Sequence, residues 1–416
     1  MKHKMVWSFL IIASASLFFY SCSGSGVNTV NKTAAKPGAA VHYSGLFLDA
    51  EGLKAFNDSE TIPLCKASAV EKVVPSPSGS ALAFLVIDTV EQSTAVYSYD
   101  LSSRTCKSQK EINEKTSVNL FWEDDSLLYV NCVETKPGRS AKQKPSFSGT
   151  TELVNILDGS VSKKIKPARG AVLEAVIPEK YFIYSDPDGV YILDKNKNRL
   201  VKTLKGFSSQ NLKGLKFSPD GKKIAFFEPK KVADQFGTTH PRNELYIANF
   251  DGTKEQKIIN FTYDPQNAAW SPASATLLCD VISQDWGNLR HAAQYEVSAG
   301  KVIFNTEEEG GFVPNLSACA WAPSGNQYIV KKTIQSQVYR ETGYIIHDVE
   351  SGKGYALKDT AGKNLDFNTL GTFITWCGDN IVLFGNQEKD FAYTIAAKTY
   401  TIFPKGRQII YVWEEN

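Results

Sequence analysis

From Gly214 to Phe227 the chain reads GLKFSPDGKKIAFF. Leu215 and Phe217 alternate with polar neighbours, the period of a half-buried strand, and Ile224, Ala225 and Phe226 form a second apolar run. Between them, Ser218-Pro219-Asp220-Gly221 predicts a reversal. Pro219 presets φ for the second turn position, Ser218 can bond back to the turn backbone, and Gly221 tolerates positive φ. One such hairpin is marginal alone in water, so neighbours of the same kind are expected.

Aligned on Phe217, copies begin at Pro75 (PSPSGSALAF), Trp122 (WEDDSLLYV), Ile177 (IPEKYFIYS), Trp270 (WSPASATLLC), Trp321 (WAPSGNQYIV) and Trp376 (WCGDNIVLF). The seven anchors lie 40 to 55 residues apart, the spacing of four-stranded propeller blades. A second series interleaves with the first: AVYSYDLSSRTC, LVNILDGSVSKKI, VYILDKNKNRLVKTL, LYIANFDGTKEQKII, QYEVSAGKVIFN, YIIHDVESGKGYALK and AYTIAAKTYTIF. Each is an apolar pair of strands around a polar turn. Together they predict an all-β, seven-bladed β-propeller of four-stranded antiparallel blades, numbered here 1 to 7 from Pro75. Closure into a ring removes the sheet edges that open hairpins would present. Residues 43–66 and the C-terminal RQIIYVWEEN are also strand-like. An eighth blade split between the two ends is the alternative, and which end supplies which strand is left open.

The PSPSG, SPDGKKIAF and WAPSG hairpins resemble the WD-like repeat of TolB-type propellers and of the N-terminal propeller of dipeptidyl-peptidase IV-like enzymes. The resemblance spans roughly residues 69 to 403 and implies a propeller, while leaving ligand and reaction open. Blades 2, 3 and 7 depart from the motif.

Composition changes this picture little. The 416 residues are 42% hydrophobic and 12% aromatic, with seven Trp and a net charge of +2, which suits packed sheets and creates no global field for nucleic acid. The start of the chain is different. A basic Lys2-His3-Lys4 precedes the apolar run from Met5 to Tyr20, ending in Phe19-Tyr20-Ser21-Cys22. This is short for a membrane-spanning helix and typical of a secretory leader. The end resembles a bacterial lipobox, with Phe19 and Tyr20 bulkier than usual. The expected organisation is a lipoprotein signal peptide over 1–21, a lipidated Cys22 with a flexible tether over 22–42, and one propeller over 43–416. Acyl chains such as palmitate on Cys22 would anchor the protein stably. Ser23 is not acidic, which by analogy with diderm lipoproteins favours the outer membrane, facing the periplasm or the cell surface. Export disfavours nucleic acid as a partner and permits disulfides. Among the six remaining cysteines no metal spacing occurs, and Cys65 with Cys106 is the one pair worth testing for a bridge.

Long connections fall between second and third strands: 134–150 in blade 2, 228–242 in blade 4, 283–291 in blade 5 and 333–342 in blade 6. In a propeller these share one face, where binding residues usually sit. They are rich in Lys and Arg with interspersed aromatics. His240, Arg242, Trp286, Arg290, His291 and Arg340 are the candidate face, with Arg as bidentate donor and Trp286 as apolar anchor. The partner expected is an envelope protein or an anionic glycan or lipid headgroup, bound by a monomer.

Catalysis finds little support. No GxSxG nucleophile turn occurs in the mature part, and no phosphate-cradling Gly loop or dinucleotide fingerprint is present. Asp186-Pro187-Asp188-Gly189 looks like a calcium loop but lacks further ligands, so a turn is expected. His240 and His291 lie in face loops of adjacent blades, while His347 aligns with a strand. No cofactor or metal is therefore assigned. The primary reading is a non-catalytic binding scaffold. The alternative is a glycan-binding or polysaccharide-lyase-like propeller acting on an acidic sugar, using His240 and His291.

Overall fold

The computed structural model describes residues 43–414 except 58–59, 113–115, 137–145, 166–170, 187–188, 198, 205–214, 234–237, 260–264, 283–289, 305–310, 313–320, 335–339, 387 and 404–406. It contains eight four-stranded antiparallel sheets, not seven. Blades 1 to 7 span 69–112, 116–165, 172–204, 216–259, 265–304, 311–356 and 372–403. Blade 8 is split: Tyr43–Asp49, Gly52–Phe56 and Thr61–Cys65 come from one end, and Gln408–Glu414 from the other. The seven-blade expectation fails for a physical reason. Repeat counting keys on the hairpin of first and second strands. In blade 8 those two strands, Gln408–Glu414 and Tyr43–Asp49, pair across nearly the whole chain, so no turn motif marks them.

First strands of neighbouring blades touch one another, as 69–75 does 116–122, 116–122 does 172–177 and 216–217 does 265–270. Fourth strands are the most exposed, as in Val161–Ile165 and Arg199–Leu204. The first strands therefore ring the axis and the fourth form the outer wall. Second strands have apolar residues on both faces, shared alternately with the two neighbouring blades. In blade 1, Leu82, Phe84 and Val86 pack with blade 8, while Ala81, Ala83 and Leu85 pack with blade 2. The same division holds for Tyr129 against Leu128 and Val130, and for Ile183 against Phe182 and Tyr184. Seven apolar clusters cover all eight blade interfaces, one of them joining blades 7, 8 and 1.

Outer strands carry a β-bulge against their third strand in blades 1, 2, 3, 4 and 8. A bulge twists an edge away from flat pairing, which guards the wall against strand addition from another molecule.

Candidate functional site

The two rims of the ring are built differently, and the sequence motif explains one of them. Ser76, Ser218 and Ser271 each turn a hydroxyl back onto the hairpin: Ala81 N, Lys223 N and Thr276 N donate to them at 3.1, 2.8 and 3.1 Å. Gly221 has φ +69°, and a Cβ there would lie 2.8 Å from Ile177 of blade 3. These turns are also joined from blade to blade. Ser78 N donates to Asp125 (2.8 Å), Lys180 Nζ to the Asp220 carbonyl (3.0 Å), Asp220 N to Ser274 Oγ (2.9 Å) and Ser324 N to Asp379 (2.8 Å). Lys195 and Glu123 pair between blades 3 and 2. Below the turns, the Trp122, Trp270 and Trp321 indoles donate to Val74 O, Lys216 O and Ala269 O of the preceding blade at 3.0, 3.0 and 3.1 Å. The tryptophans were visible in the sequence as anchors; their role as latches was not, because the acceptor lies about fifty residues away on another blade.

Since the first-to-second turns share that rim, the second-to-third connections all leave from the other. The expected loop of blade 4 is a hairpin arm: Lys223–Ala233 pairs with Thr239–Asn249 through eleven rows. Neighbouring strands accompany only its base, at Ile224–Ala225 and Leu245–Ile247. The rows from Glu228 to Ala233 thus extend about 20 Å beyond the blade body. Strand pairing also continues into the connections of blades 2, 5 and 6, to Lys136 and Ser146, Ile282 and Arg290, and Ile334 and Arg340.

The candidate residues separate on this frame. His240 is exposed and Arg242 half-buried on the arm of blade 4. Arg290 and Arg340 open the third strands of blades 5 and 6, on the same rim. Trp286 and Cys22 lie outside the described residues. His291 is buried opposite Val281, on the side of blade 5 that faces blade 4. His240 shares a face with Phe226, which packs toward blade 3. The two histidines therefore look to opposite sides of blade 4, and no described group of three His, Cys, Asp or Glu could hold a metal ion. His347 is buried and stacked on Tyr328 at 5.1 Å, and burial pushes it down to about 4. Asp186 accepts from Gly189 N (3.0 Å) and Tyr191 OH (3.1 Å), while Pro187 and Asp188 lie outside the described residues.

Cys65 and Cys106 are free thiols. Both pack at the blade 8–blade 1 interface, where Cys106 opposes Tyr99 and Cys65 opposes Leu53. Burial raises them to about 12 and about 11.

On the inner wall, charge is enclosed at blade boundaries. Glu174 sits in a bulge of blade 3 and accepts from Ser185 Oγ at 2.5 Å. Lys216 of blade 4 is pushed down to about 8 by burial, which Glu174 partly offsets. Lys72 adopts φ +52° in the bulge of blade 1 and donates to the Val118 carbonyl and to Asn119. Bulges re-aim these side chains across the boundary.

No known family profile matches the chain, and no curated relative is found. Solved structures do show similarity. Dipeptidyl peptidase 4 of Porphyromonas gingivalis aligns at 12% identity over 87% of this chain and 55% of its own, with a TM-score of 0.48. Acylaminoacyl peptidase of Pyrococcus horikoshii gives 13%, 82%, 52% and 0.47 in the same order. TolB of Acinetobacter baumannii gives 13%, 77%, 77% and 0.33. The chain spans about half the length of the two peptidases. The class rests on the sheets themselves: this is a closed β-propeller, as the WD-like hairpins implied.

Proposed function

We propose that the protein is a non-catalytic, lipid-anchored scaffold of the cell envelope that captures a partner through its arm rim. The supporting observation is the asymmetry of the ring. Among the described residues, turns on one rim are bonded from blade to blade, and the second-to-third connections of blades 2, 4, 5 and 6 leave from the opposite one. The cations on that rim, Lys230, Lys231 and Arg242 among them, suit an anionic partner, an envelope protein before a glycan or lipid headgroup. Cys22 carries the lipid, and the outer membrane is the expected site.

Crosslinking in intact cells tests the reading. Replacing Arg242, Arg290 and Arg340 together by Gln should reduce captured partner at least tenfold at low salt, with the fold unchanged by circular dichroism. Equal capture would refute the arm rim as the binding surface. Incorporation of labelled palmitate into the wild type but not Cys22→Ala would support the anchor, and labelling of both would remove it.

A further inference from the structure

The outer wall is guarded in every blade but one. A sheet edge invites another strand, and proteins blunt it with a bulge, with charge (Lys above all) or with proline. The outer strands of blades 1 to 6 each carry at least one Lys, and that of blade 8 carries Pro63. Those of blades 1, 2, 3, 4 and 8 are bulged as well. Blade 7 has none of the three. Its outer strand, Thr399–Phe403, reads TYTIF and pairs with Asp390–Thr394 through five rows without a register shift. All five residues favour strands. Among the described residues no further strand lies against its outer side.

The strand is also well anchored in its own blade. Tyr400 meets the ring of Phe391 edge-on at 6.3 Å, and Phe403 meets Phe56 of blade 8 at 5.7 Å. Both rings thus point back into the protein, while Ile402 stays 47% exposed. Along the outer side every second residue turns its N–H and C=O away from the blade. The edge therefore offers backbone donors and acceptors and an apolar side chain, with no charge to repel a copy of itself.

We propose that Thr399–Phe403 joins edge to edge with the same strand of a second copy of this chain, antiparallel and across a two-fold axis at Thr401. Symmetry sets the register. Side chains alternate between faces, so a two-fold through the sheet must pass beside a residue, and only Thr401 brings all five rows into use. Thr401 then faces its own copy, Tyr400 faces Ile402 and Thr399 faces Phe403. Thr–Thr and aromatic–β-branched pairs are favourable across strands. A second copy thus matches the edge in length, in charge and row by row. The axis turns the second ring over, so the two arm rims look to opposite sides and neither is covered. One short edge on a convex wall buries far less than a stable interface of about 1,200 Å² or more. The pair is accordingly weak and reversible, and the monomer expected from the sequence is its dilute form.

Sedimentation equilibrium of the purified full-length protein tests the pair at concentrations from about 1 to 500 µM. The wild type should rise from monomer towards dimer and stop there. Thr401→Lys and Thr401→Glu each set like charges face to face, so each should weaken association at least tenfold, and an equimolar mixture of the two should recover it. Val201→Lys, on the bulged outer strand of blade 3, should change association less than twofold. Hydrogen exchange gives a reading free of substitutions: amides of 399–403 should slow as the wild-type concentration rises, and those of 199–204 should not. A wild type that stays monomeric would leave the edge to a foreign strand and overturns the proposal. So does a mixture that fails to recover, an equal loss with Val201→Lys, assembly beyond the dimer, or exchange at 399–403 that ignores concentration.

Discussion

The two rims come from the same hairpin repeat and meet opposite ends. On the turn rim, Ser, Gly and Asp are tied into a belt that crosses blade boundaries at Ser78–Asp125, Asp220–Ser274 and Ser324–Asp379. On the arm rim, the blade 4 hairpin outgrows its neighbours and exposes cations. The first arrangement makes the turns of blades 1, 3, 4 and 6 depend on the next blade. The second leaves a connection free to change length and charge without disturbing the ring. A repeat protein can thus keep its stability and its recognition on separate surfaces.

Substitutions should make the contrast measurable. The largest loss is expected on the turn side: Trp270→Ala removes a buried ring and its bond to Lys216 O, costing about 3–5 kcal/mol in urea denaturation. Trp270→Phe should cost only about 1 kcal/mol. A loss below that for the alanine variant would deny the latch. Acid comes next. His347 is held neutral, near 4 against an ordinary 6.5, so the folded state resists protonation. Stability is whole above pH 6.5 and falls by about 3 kcal/mol as the pH drops toward 4. His347→Phe should flatten that slope, and an unchanged slope would place the acid sensitivity elsewhere. Gly221→Ala should cost about 2 kcal/mol, against about 1 for Gly79→Ala. Both glycines have positive φ, but only the former meets a neighbouring blade. Equal losses would show that the belt adds nothing beyond the local turn. On the arm, Lys231→Ala should stay within about 0.5 kcal/mol of wild type, and a larger change would mean that the arm also carries stability.

Much of this was legible in the chain. The alternation around Phe217 and Ile224 and the turn at Pro219-Asp220 announced the blades, and connection lengths located the arm rim. Three things were hidden. Blade 8 lacks the first-to-second hairpin that marks the others, because those two strands come from opposite ends, so it entered only as the split-blade alternative, which the structure bears out. The arm of blade 4 read as a loop, since Pro229 and Pro241 suggest breaks; both fit a strand because they occupy outward-pointing positions of a two-stranded ladder. The facing of His240 and His291 depends on register, and a shift of one row would reverse it.

The split blade carries a consequence for biosynthesis. Its innermost strand, Gln408–Glu414, is translated after everything it must join. While that strand is still within the ribosome, Tyr43–Asp49 has an open flank and the nascent ring cannot shut. The chain must therefore wait, shielded or aggregation-prone, until its last blade partner emerges.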